Sequence, residues 1–346
     1  MALADRARTV EGVLDQLAAG GVPRATLSAV GHRVVHGGSR FRAPVVLDAG
    51  VLAELDELTE LAPLHNLVAV DTARAAAELL PDLAHVAVFD TAFHATLDEE
   101  AFVYPLPWRW YAEWGIRRYG FHGLAVAWAV RRAGELLERP ADDLALIVAH
   151  LGSGCSVTAI EGGRSVATSM GLTPLEGLMM GTRAGSFDPG VMLHLLRGGG
   201  RERIELAELA EALDHEAGLL GVSGVSGDVR AVEAAAGDEA EPATAARARL
   251  ALRMFARRAA EGIAAAAVAL PRLDAVVFSG GIGEHAGRLR ADIVARLAVL
   301  GIEPIAAAEG GTDRRLSARG ARPAVLRVEA REDIVIAEAV AGLLGG

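Results

Sequence analysis

The sequence predicts a mixed α/β protein of two domains. Short apolar runs that end at glycine or at a charged residue alternate with longer segments in which apolar residues recur at helical spacing. The length of 346 residues exceeds that of one ordinary domain. Hydrophobic residues make up 52% of the chain, which is enough to form two sizeable cores.

The first part of the chain predicts helices and strands in alternation. Gly20-Gly21 is typical of a helix end, and Ala62-Pro63 separates two helical segments. The predicted elements are a helix at about Arg6–Ala19, a strand at Leu27–Val35, helices at Gly50–Leu61 and Leu67–Leu80, a strand at His85–Phe89 that ends on Asp90, and a helix at Leu124–Leu137.

The second part begins near Asp143 and predicts a meander of strands followed by helices. Tyr104–Trp114, just before it, has no clear period and is predicted to be an ordered surface segment. Thr244 is a candidate N-cap, and the acidic, alanine-rich Val232–Ala243 is predicted to be a loop insert. The predicted strands are Leu144–Leu151, Cys155–Ile160, Arg164–Thr168, Asp274–Phe278 and Ala324–Val328, and the predicted helices are Val191–Leu196, Ile204–Leu213, Ala245–Leu270, a helix that follows Gly283 and runs through Leu300, and Ile334–Leu344.

Composition excludes several classes of function. All 34 basic residues are arginine, so a Walker A loop and lysine Schiff-base chemistry are absent from this sequence. The net charge of −11 argues against a nucleic acid or an anionic membrane as partner. Cys155 is the single cysteine, which permits no internal disulfide and no cysteine zinc site. With no apolar run long enough to span a membrane and no signal peptide, we expect a soluble cytoplasmic protein.

Two glycine-rich turns directly follow apolar strands. They are His150–Ser156 and Phe278–His285. Glycine lets backbone N–H groups converge on an oxyanion, and the helix after the second turn would add its positive end. Each turn alone is a weak signal, but together they predict nucleotide binding. The second turn lacks the spacing of a Rossmann fingerprint.

Arginines in glycine-flanked loops are the next candidates. Arg33 lies in Gly31–Gly37, and Arg183 lies in Gly181–Asp188. A guanidinium is the planar, permanently charged partner of carboxylates and phosphoryl oxygens. A surface arginine paired with an acid is the ordinary alternative, but the flanking glycines favour a site at these two positions.

Histidines and carboxylates in loops complete the candidate set. His65, His122 and His150 stand in loop-like sequence, where a structural histidine is the alternative. His32 and His36 have the i, i+4 spacing of a metal pair, but their strand-to-loop context argues against metal ligation. The loop carboxylates are Asp90, Asp188, Asp228 and Glu332, and each of them is a candidate for metal binding, positioning or capping.

Eight sequence strings occur in an order that resembles the acetokinase family, within the superfamily of acetate and sugar kinases, Hsc70 and actin. The resemblance runs from about Leu27 to the end of the sequence. The strings are Gly31–Gly38, Ala62–Asn66, Phe89–His94, Gly115–Gly123, His150–Gly154, Thr168–Gly177, Met180–Arg183 and Gly280–Glu284.

The resemblance implies two ribonuclease H-like, actin-like ATPase domains with the active site in the cleft between them. The first would comprise residues 1–94 and 334–346, and the second, nucleotide-binding domain would comprise residues 95–333. The implied reaction is reversible transfer of the γ-phosphoryl group of ATP to acetate, which gives acetyl phosphate and ADP and serves acetyl-CoA biosynthesis. Mg²⁺, or Mn²⁺ in its place, is the implied metal, and a homodimer is the implied assembly.

The resemblance also implies roles for individual residues. Arg33 and Arg183 would hold the carboxylate and the phosphoryl group in flight, His122 would hydrogen-bond that group, and Asp90 and Glu332 would serve positioning and Mg²⁺, with Glu332 as the metal ligand. Val35, Leu64, His65, Phe121 and Pro174 would join Arg33 in binding the substrate. The implied nucleotide-binding residues are His150, Gly152, Ser153, Gly154, Asp228, Val229, Arg230, Gly281, Ile282, Gly283 and His285.

These residue types suit the chemistry independently. A carboxylic acid of pKa about 4–5 is already an anion at neutral pH, so it needs no general base. Repulsion between two anions is the main obstacle, and arginines, a histidine and Mg²⁺ oppose it. We therefore interpret Asp90 as an orienting group.

We also expect Arg33→Ala and Arg183→Ala to lower turnover with little effect on folding, because their loops are glycine-flanked and polar.

The sequence departs from the family in three places. It contains no counterpart of the opening Asn-x-Gly-Ser-Ser-Ser-x-Lys turn, and Ser153 and His285 stand where asparagine is usual. We expect the first domain to lack its opening strands, and residues 1–346 alone to bind ADP but transfer little phosphoryl. The alternatives are a propionate or butyrate kinase, a nucleotide-binding remnant without activity, and a sugar kinase, which would need an aspartate base.

Overall fold

The computed structural model describes residues 3–61, 66–199, 203–308 and 310–345. The chain divides into two compact units. Unit 1 comprises Met1–Ala95, Phe121–Ala127 and Arg331–Gly346, and unit 2 comprises Thr96–Gly120 and Trp128–Ala330.

The strands follow the predicted apolar runs. Every predicted strand is confirmed, with ends that differ by a residue or two. The two-residue strands Val45–Val46 and Arg314–Arg315 were not predicted. The strands are β1 Ala29–Val34, β2 Val45–Val46, β3 Ala84–Phe89, β4 Ala145–Leu151, β5 Cys155–Glu161, β6 Arg164–Thr168, β7 Ala275–Ser279, β8 Arg314–Arg315 and β9 Ala324–Arg327.

The predicted helical segments are also helical, with ends that shift by a few residues, whereas four short helices were not predicted, namely Glu99–Phe102, Trp108–Ala112, Gly218–Ser223 and Val229–Ala235. Short 3-10 turns lie at Arg24–Thr26, Leu58–Leu61, Ala92–Thr96, Ala141–Asp143 and Ala298–Leu300, and a π-helical turn lies at Ala212–Glu216. The helices are α1 Leu3–Ala19, α2 Ala49–Glu57, α3 Asn66–Leu79, α4 Glu99–Phe102, α5 Trp108–Ala112, α6 Gly123–Leu137, α7 Gly190–Leu196, α8 Leu206–Glu211, α9 Gly218–Ser223, α10 Val229–Ala235, α11 Pro242–Ala267, α12 Gly280–His285, α13 Gly287–Ala295 and α14 Glu332–Leu344.

The sheet of unit 1 has the strand order β1-β3-β2, with β1 parallel and β2 antiparallel to β3. Val34 pairs with Phe89, and the backbone N–H of Asp90 donates to the carbonyl of Val34 at 3.0 Å. Because β1 and β3 run in the same direction, Arg33 and Asp90 lie at the same edge of the sheet.

Apolar side chains cover both faces of this sheet. On one face, Phe41 stacks on Phe89 with ring centroids 5.0 Å apart, over a core that α2 and α3 complete. On the other face α14 packs so closely on β1 that a Cβ at Gly31 would lie 2.5 Å from Ile336 Cγ2. The two clusters of buried residues are Val34, Leu55, Val70, Ala87 and Phe89, and Val86, Val88, Leu124 and Val340.

The sheet of unit 2 has the strand order β6-β5-β4-β7-β9-β8. Its centre is parallel, because β7 pairs in the same direction with both β4 and β9, and antiparallel strands flank it on both sides. The carboxyl ends of the parallel strands meet at one edge of the sheet. The predicted glycine turns after β4 and β7 therefore lie side by side.

Helix α11 is the long helix of unit 2, and small residues form its buried face. Its alanines let it approach β4, β5, α9 and α10 closely. The prediction of Thr244 as N-cap is wrong: the helix begins earlier, and the Glu241 carboxylate caps it by accepting from the N–H of Thr244 at 2.8 Å. The buried residues are Ala245, Ala248, Ala251, Phe255, Ala256, Ala259, Ala260 and Ile263.

Two further predictions of local structure are wrong. Val232–Ala243 is not a loop insert, because its first residues finish helix α10, which the Asp228 carboxylate caps by accepting from Arg230 N–H. The glycines after β7 do not form a turn before one continuous helix. They form the first residues of α12, and Ala286, with φ −83° and ψ 74°, separates α12 from α13.

In the described part of the chain, no helix combines the length and the apolar character needed to cross a lipid bilayer.

Burial holds two histidines of unit 1, His32 and His94, in the neutral form. His85 Nε2 lies 3.1 Å from the carbonyl of Leu80 and therefore donates to it. His85 Nδ1 is then the acceptor for His32 Nε2 at 2.9 Å. His94 Nε2 donates to the Phe121 carbonyl at 2.9 Å. Burial lowers the pKa of His32 and of His94 to about 4, and the nearby His85 contributes at His32.

Acidification should therefore weaken the fold of unit 1. The folded-state pKa values of His32 and His94 lie below the ordinary value of about 6.5, so the unfolded chain binds more protons as the pH falls. Their stabilising contribution is present above about pH 6.5 and is lost towards pH 4. We expect the free energy of unfolding, measured by urea denaturation and circular dichroism, to fall by about 2 kcal/mol per histidine between about pH 7.5 and 5.

The matched variants separate these histidines from general acid effects. His94→Gln keeps an N–H donor for the Phe121 carbonyl but cannot titrate, so it should flatten the pH dependence. His215→Gln changes an exposed histidine and should leave the slope unaltered. An equal slope in the His94→Gln variant and the unaltered chain would show that His94 does not contribute.

Candidate active site

Arg33 lies between two carboxylates in unit 1. Its Nε is 3.0 Å from Asp90 Oδ1, its Nη2 is 2.7 Å from Asp90 Oδ2, and its Nη1 is 2.9 Å from Glu332 Oε2. The Asp90 side chain is 1% exposed, whereas that of Arg33 is 39% exposed. The guanidinium thus neutralises the buried Asp90 charge with one edge and pairs with Glu332 through Nη1, while the Arg33 side chain as a whole stays partly exposed.

The electrostatic balance at this cluster follows from burial and charge. Burial would lower the pKa of Arg33, but the carboxylates of Asp90 and Glu332 outweigh it and raise that pKa. Burial raises the pKa of Glu332; Arg33 opposes the change and the Asp90 charge adds to it. The neutral form of Glu332 is therefore favoured more than that of a solvated glutamate.

His122 occupies a left-handed backbone conformation next to this cluster. Its φ is 60°, which is rare for a residue with a side chain. The next residue, Gly123, donates its N–H to the carbonyl of Asp90 at 2.9 Å, and a Cβ there would lie 2.2 Å from that oxygen. The turn into α6 is thus pressed against Asp90, and this geometry fixes the position of His122.

The remaining predicted residues of unit 1 surround the same edge. Phe121 is buried and contacts the ring of His36 edge-on, with centroids 5.3 Å apart, and Val35 is half-buried at the end of β1. Asn66, which was not predicted, fixes this turn: its side-chain oxygen accepts from His36 N–H at 3.0 Å, and its amide donates to the His36 carbonyl at 2.9 Å. The predicted residues Leu64 and His65 lie outside the described residues.

In unit 2, the loop Met180–Arg183 is fastened on two sides. Its Gly181 N–H donates to the carbonyl of Ser153 at 3.3 Å, which joins it to the turn after β4. Gly218, with φ 61°, brings the start of α9 so close that a Cβ would lie 2.3 Å from the Met180 carbonyl. These contacts hold the loop rigidly beside the carboxyl ends of the parallel strands.

Arg183 is half-buried at the end of this loop. Its Nη1 donates to the carbonyl of Pro174 at 3.3 Å, so two of the predicted residues meet here. Among the described residues, no carboxylate lies within 4 Å of its guanidinium. Burial lowers the pKa of Arg183, with the charges of Asp214 and Cys155 acting in the opposite direction. A charged group in this setting is suited to an anionic ligand.

A cavity of about 1090 Å³ opens beside this loop in unit 2. Backbone from both glycine turns and from the start of α10 forms its surface. Cavities of this size hold ligands larger than a typical drug molecule. The lining residues are Gly152, Ser153, Gly181, Thr182, Gly227, Asp228, Val229, Arg230, Glu233, Gly281, Ile282, His285, Ala286, Gly310 and Gly311.

Most of the predicted nucleotide-binding residues lie in this lining. Three do not: His150 is buried at the end of β4, Gly154 closes its turn by accepting from Gly152 N–H, and the carbonyl of Gly283 accepts from Arg290. The prediction missed a further set of lining residues. The sequence marked Gly181 and Thr182 through their position before Arg183. It did not mark the other lining residues, which are Gly227, Glu233, Ala286, Gly310 and Gly311.

Asp228 and Arg230 pair across the mouth of the cavity. Arg230 Nη2 lies 2.7 Å from Asp228 Oδ2, and the Arg230 side chain is 88% exposed. The pKa of Asp228 is lowered by its hydrogen bonds from the Arg230 side chain and backbone. Because the pair is solvated, it is free to exchange for a polar ligand at little cost.

The strain at His122 predicts that its side chain is retained for function. His122→Gly should leave the midpoint of thermal unfolding unchanged or raise it, because glycine adopts positive φ without the cost of about 1 kcal/mol that other residues meet. The same change should abolish the activity that the sequence implies. Differential scanning calorimetry and an assay of acetyl phosphate formation measure the two effects.

Glu138 provides the matched control. It is the other described residue with a side chain at positive φ, 54°, and it lies in a turn of unit 2. Glu138→Gly should relieve the same backbone strain without loss of activity. Equal activity in the His122→Gly variant would contradict a functional role for the imidazole.

Comparison with known proteins agrees with the sequence strings. An acetate kinase of Deinococcus deserti is 48% identical over 332 residues, which cover 94% of this chain and 80% of that protein. An acetate kinase of a Synechococcus strain is 48% identical over 324 residues, which cover 93% of this chain and 78% of that protein.

Solved structures give the same result for the fold. A crystal structure of Porphyromonas gingivalis acetate kinase matches with a TM-score of 0.87 at 35% identity, over 98% of this chain and 84% of that one. A propionate kinase from Francisella tularensis matches with a TM-score of 0.84 at 34% identity, over 96% and 83%. The mixed α/β, two-domain, actin-like fold is thereby confirmed. The sequence profile of the acetokinase family matches residues 1–338, and the chain belongs to this family.

Proposed function

We propose that the protein transfers the γ-phosphoryl group of ATP to acetate, reversibly, and forms acetyl phosphate and ADP. The observation that carries this proposal is Arg183. Its guanidinium is half-buried and has no carboxylate within 4 Å among the described residues, and the two residues before it, Gly181 and Thr182, line a cavity of about 1090 Å³. An arginine that has no carboxylate partner among the described residues, and that follows two residues of the cavity lining, is suited to the charge that develops during phosphoryl transfer.

The carboxylate oxygen of acetate would attack the γ-phosphorus while the bond to the ADP oxygen breaks. No proton has to be removed, because acetate is already an anion at neutral pH. The requirement is positive charge near two anions. We propose that Arg183 meets the phosphoryl group in flight, and that Arg33 offers the acetate carboxylate those N–H groups that Asp90 and Glu332 leave unused.

Asp90 would orient Arg33 and would not act as a base. Both of its side-chain oxygens accept from Arg33, and its side chain is 1% exposed, so it has no access to a substrate proton. His122, held by the turn against Asp90, would donate a hydrogen bond to the transferring group. Val35, Phe121 and Pro174 would supply apolar surface for the methyl group.

The residues present fit a magnesium ion held mainly by the nucleotide. Among the described residues, no group of three His, Cys, Asp or Glu side chains is placed to hold a metal alone. Mg²⁺ in phosphoryl transfer commonly takes one or two carboxylates and completes its shell with phosphates and water. Glu332 offers one such carboxylate, and we propose it as the ligand, because it is 20% exposed whereas Asp90 is 1% exposed with both oxygens bound to Arg33. When bound, the ion would neutralise charge on the phosphates.

The cavity of unit 2 would take the nucleotide. The turn at Ser153 and helix α12 would present backbone N–H groups and a helix start to the phosphates, since both follow parallel strands at one edge of the sheet. The solvated pair of Asp228 and Arg230 would open to hydrogen-bond the nucleoside. Ser153 and His285, both in the lining, are the positions at which nucleotide preference would differ from that of other members.

Propionate is the second candidate substrate. The observation that favours it is the structural similarity to a propionate kinase at 34% identity, close to the 35% identity to an acetate kinase. One additional methylene in an apolar pocket is worth only about 1–3 kcal/mol, so both acids are expected to be phosphorylated, with acetate preferred.

The remaining implications of the family stay as predictions. We propose that the two units are the two predicted domains, although unit 1 also includes Phe121–Ala127 and begins its last segment at Arg331. We propose further that the protein works in the cytoplasm as a homodimer. Size-exclusion chromatography with light scattering tests the dimer.

The central test is an assay of acyl phosphate formation by hydroxamate. It is run on the 346-residue chain and on a chimera that adds the part of the Deinococcus deserti relative outside the match. We expect the chimera to form acetyl phosphate with ATP and Mg²⁺, and the chain itself to bind ADP in calorimetry. Acetyl hydroxamate at background in the chimera would overturn the proposed function. The turnover of the 346-residue chain itself tests the expectation that it binds ADP but transfers little phosphoryl.

Arg183→Met should remove activity without harming the fold. Loss of one electrostatic contact to the transition state typically costs ~10²–10³ in rate. Because no carboxylate within the described residues pairs with Arg183, its removal leaves no buried charge uncompensated. The turnover of the chimera and its thermal midpoint measure the two effects. A variant that retains near-full turnover would contradict the assignment.

Arg33→Met should behave differently, and here the structure corrects the expectation of little effect on folding. It would break the ion pair between Arg33 and the buried Asp90 carboxylate, and removing one member of a buried ion pair typically costs about 3–5 kcal/mol. The double variant Arg33→Met with Asp90→Asn removes both charges and should recover most of that stability but none of the activity. Recovery of activity in the double variant would argue against a role for Arg33 in transfer.

A further inference from the structure

Two arginines of unit 2 are fully buried. Arg290 on helix α13 and Arg327 at the end of strand β9 are each 1% exposed. Among the described residues, neither has a carboxylate within 4 Å, and the Nε of each has no hydrogen-bond partner. Buried guanidiniums are rare and costly, and an apolar side chain would often be cheaper. The hydrogen bonds that the Nη nitrogens of Arg290 and Arg327 donate therefore indicate the role of these side chains.

Arg290 joins helix α12 to the segment that precedes Gly310. Its Nη1 donates to the carbonyl of Gly283 at 2.6 Å, and its Nη2 donates to the carbonyl of Ala308. The start of α13 packs on the same segment, because a Cβ at Gly287 would lie 2.6 Å from the Ala308 carbonyl. Burial, with a smaller effect of Arg327, lowers the pKa of Arg290 to about 10, so it stays charged at neutral pH.

Arg327 holds the backbone on the other side of that segment. Its Nη1 donates to the carbonyl of Gly310, and its Nη2 donates to the carbonyl of Thr312 at 2.6 Å. Gly311 lies directly on the guanidinium: its φ is 104°, and a Cβ there would lie 2.9 Å from Arg327 Nη2. The two Nη nitrogens of Arg327 thus hold the short stretch of backbone from Gly310 to Thr312.

These carbonyls belong to residues that line the large cavity, as Gly310 does, or to neighbours of lining residues in the chain, as Gly283 and Thr312 are. Gly310 and Gly311 line it on one side, and Gly281, Ile282 and His285 of α12 line it on another. Neither arginine lines the cavity. Gly310 and Gly311 have no side chains that could anchor them, so the hydrogen bonds that the carbonyls of Gly310 and Thr312 accept hold this stretch in place. A charged donor forms stronger hydrogen bonds to a carbonyl than a neutral one does.

We propose that Arg290 and Arg327 are positioning residues for the nucleotide, which hold the α12 wall and the Gly310-Gly311 wall of the cavity at a fixed separation. This inference rests on the proposed function only in naming ADP and ATP as the ligand. The two side chains act through the backbone that they bind and do not touch the nucleotide. Nothing in the sequence marks them, since an arginine among 34 ordinarily lies at the surface.

The test is ADP binding by isothermal titration calorimetry to the full chain and three variants. Arg327→Met keeps the volume but removes the donors, and we expect it to weaken ADP binding by at least tenfold. Arg327→Lys keeps the charge with fewer donors and should bind between the two. Arg315→Met is the matched control, because Arg315 on neighbouring β8 also donates to backbone, at Ala321, but not to a cavity wall. It should bind ADP like the unaltered chain.

Hydrogen exchange with mass spectrometry provides the second readout. In the Arg327→Met variant the amides of Gly311 and Thr312 should exchange faster, while those of β4 and β7 keep their protection and show that the fold is intact. Unchanged ADP affinity in a folded Arg327→Met variant, or an equal loss in Arg315→Met, would overturn the inference. Failure of the unaltered chain to bind ADP would instead contradict the proposed function, and the exchange rates would then decide whether Arg327 holds the wall.

Discussion

Asp90 is a carboxylate in the interior of unit 1, and the guanidinium of Arg33 lies alongside it and balances its charge. The two side chains share three contacts of 2.7–3.2 Å, in the two-pronged geometry that suits a guanidinium and a carboxylate. Several elements depend on this position. Strands β1 and β3 bring Arg33 and Asp90 together by their parallel pairing, α6 begins on the Asp90 carbonyl, and α14 begins at Glu332, the second partner of Arg33.

Arg33 has one structural role that the contacts show, and we propose a second, functional one. It balances a buried charge and keeps a partly exposed side chain, so we expect its loss to affect folding and function together. Arg183 has no such double role among the described residues, since its contacts are a carbonyl of Pro174 and the sulfur of Met180. The surroundings of the two arginines differ: the charge of Arg33 is balanced by carboxylates of the protein, whereas no carboxylate among the described residues lies within 4 Å of the Arg183 guanidinium.

Unit 2 is built differently. Its glycine turns bring backbone to the surface of a cavity at positions where no side chain of their own stands in the way. The parallel strands β4 and β7 end at one edge, so the glycine turns that follow them are neighbours although they are far apart in the chain. Glycine is required where backbones approach this closely: at Gly280, with φ 77°, a Cβ would lie 2.7 Å from the Leu151 carbonyl. Such a surface has little rigidity of its own, and the buried guanidiniums of Arg290 and Arg327 supply it from behind.

The sequence by itself determined the secondary elements, the family and most of the residues around the two candidate regions. Apolar periodicity and glycine placement are local properties, and the family strings are contiguous, so both can be read along the chain. It predicted less well where local signals compete, as at the start of α11, where Glu241 caps the helix in place of Thr244. The tertiary structure alone decided which residues share a site. Arg33, Asp90 and Glu332 meet through strand pairing and helix packing, and Gly310 and Gly311 reach the cavity through the fold of unit 2. Burial, too, is a property of place and not of residue type, which is why only the folded chain shows that Arg290 and Arg327 lie inside it.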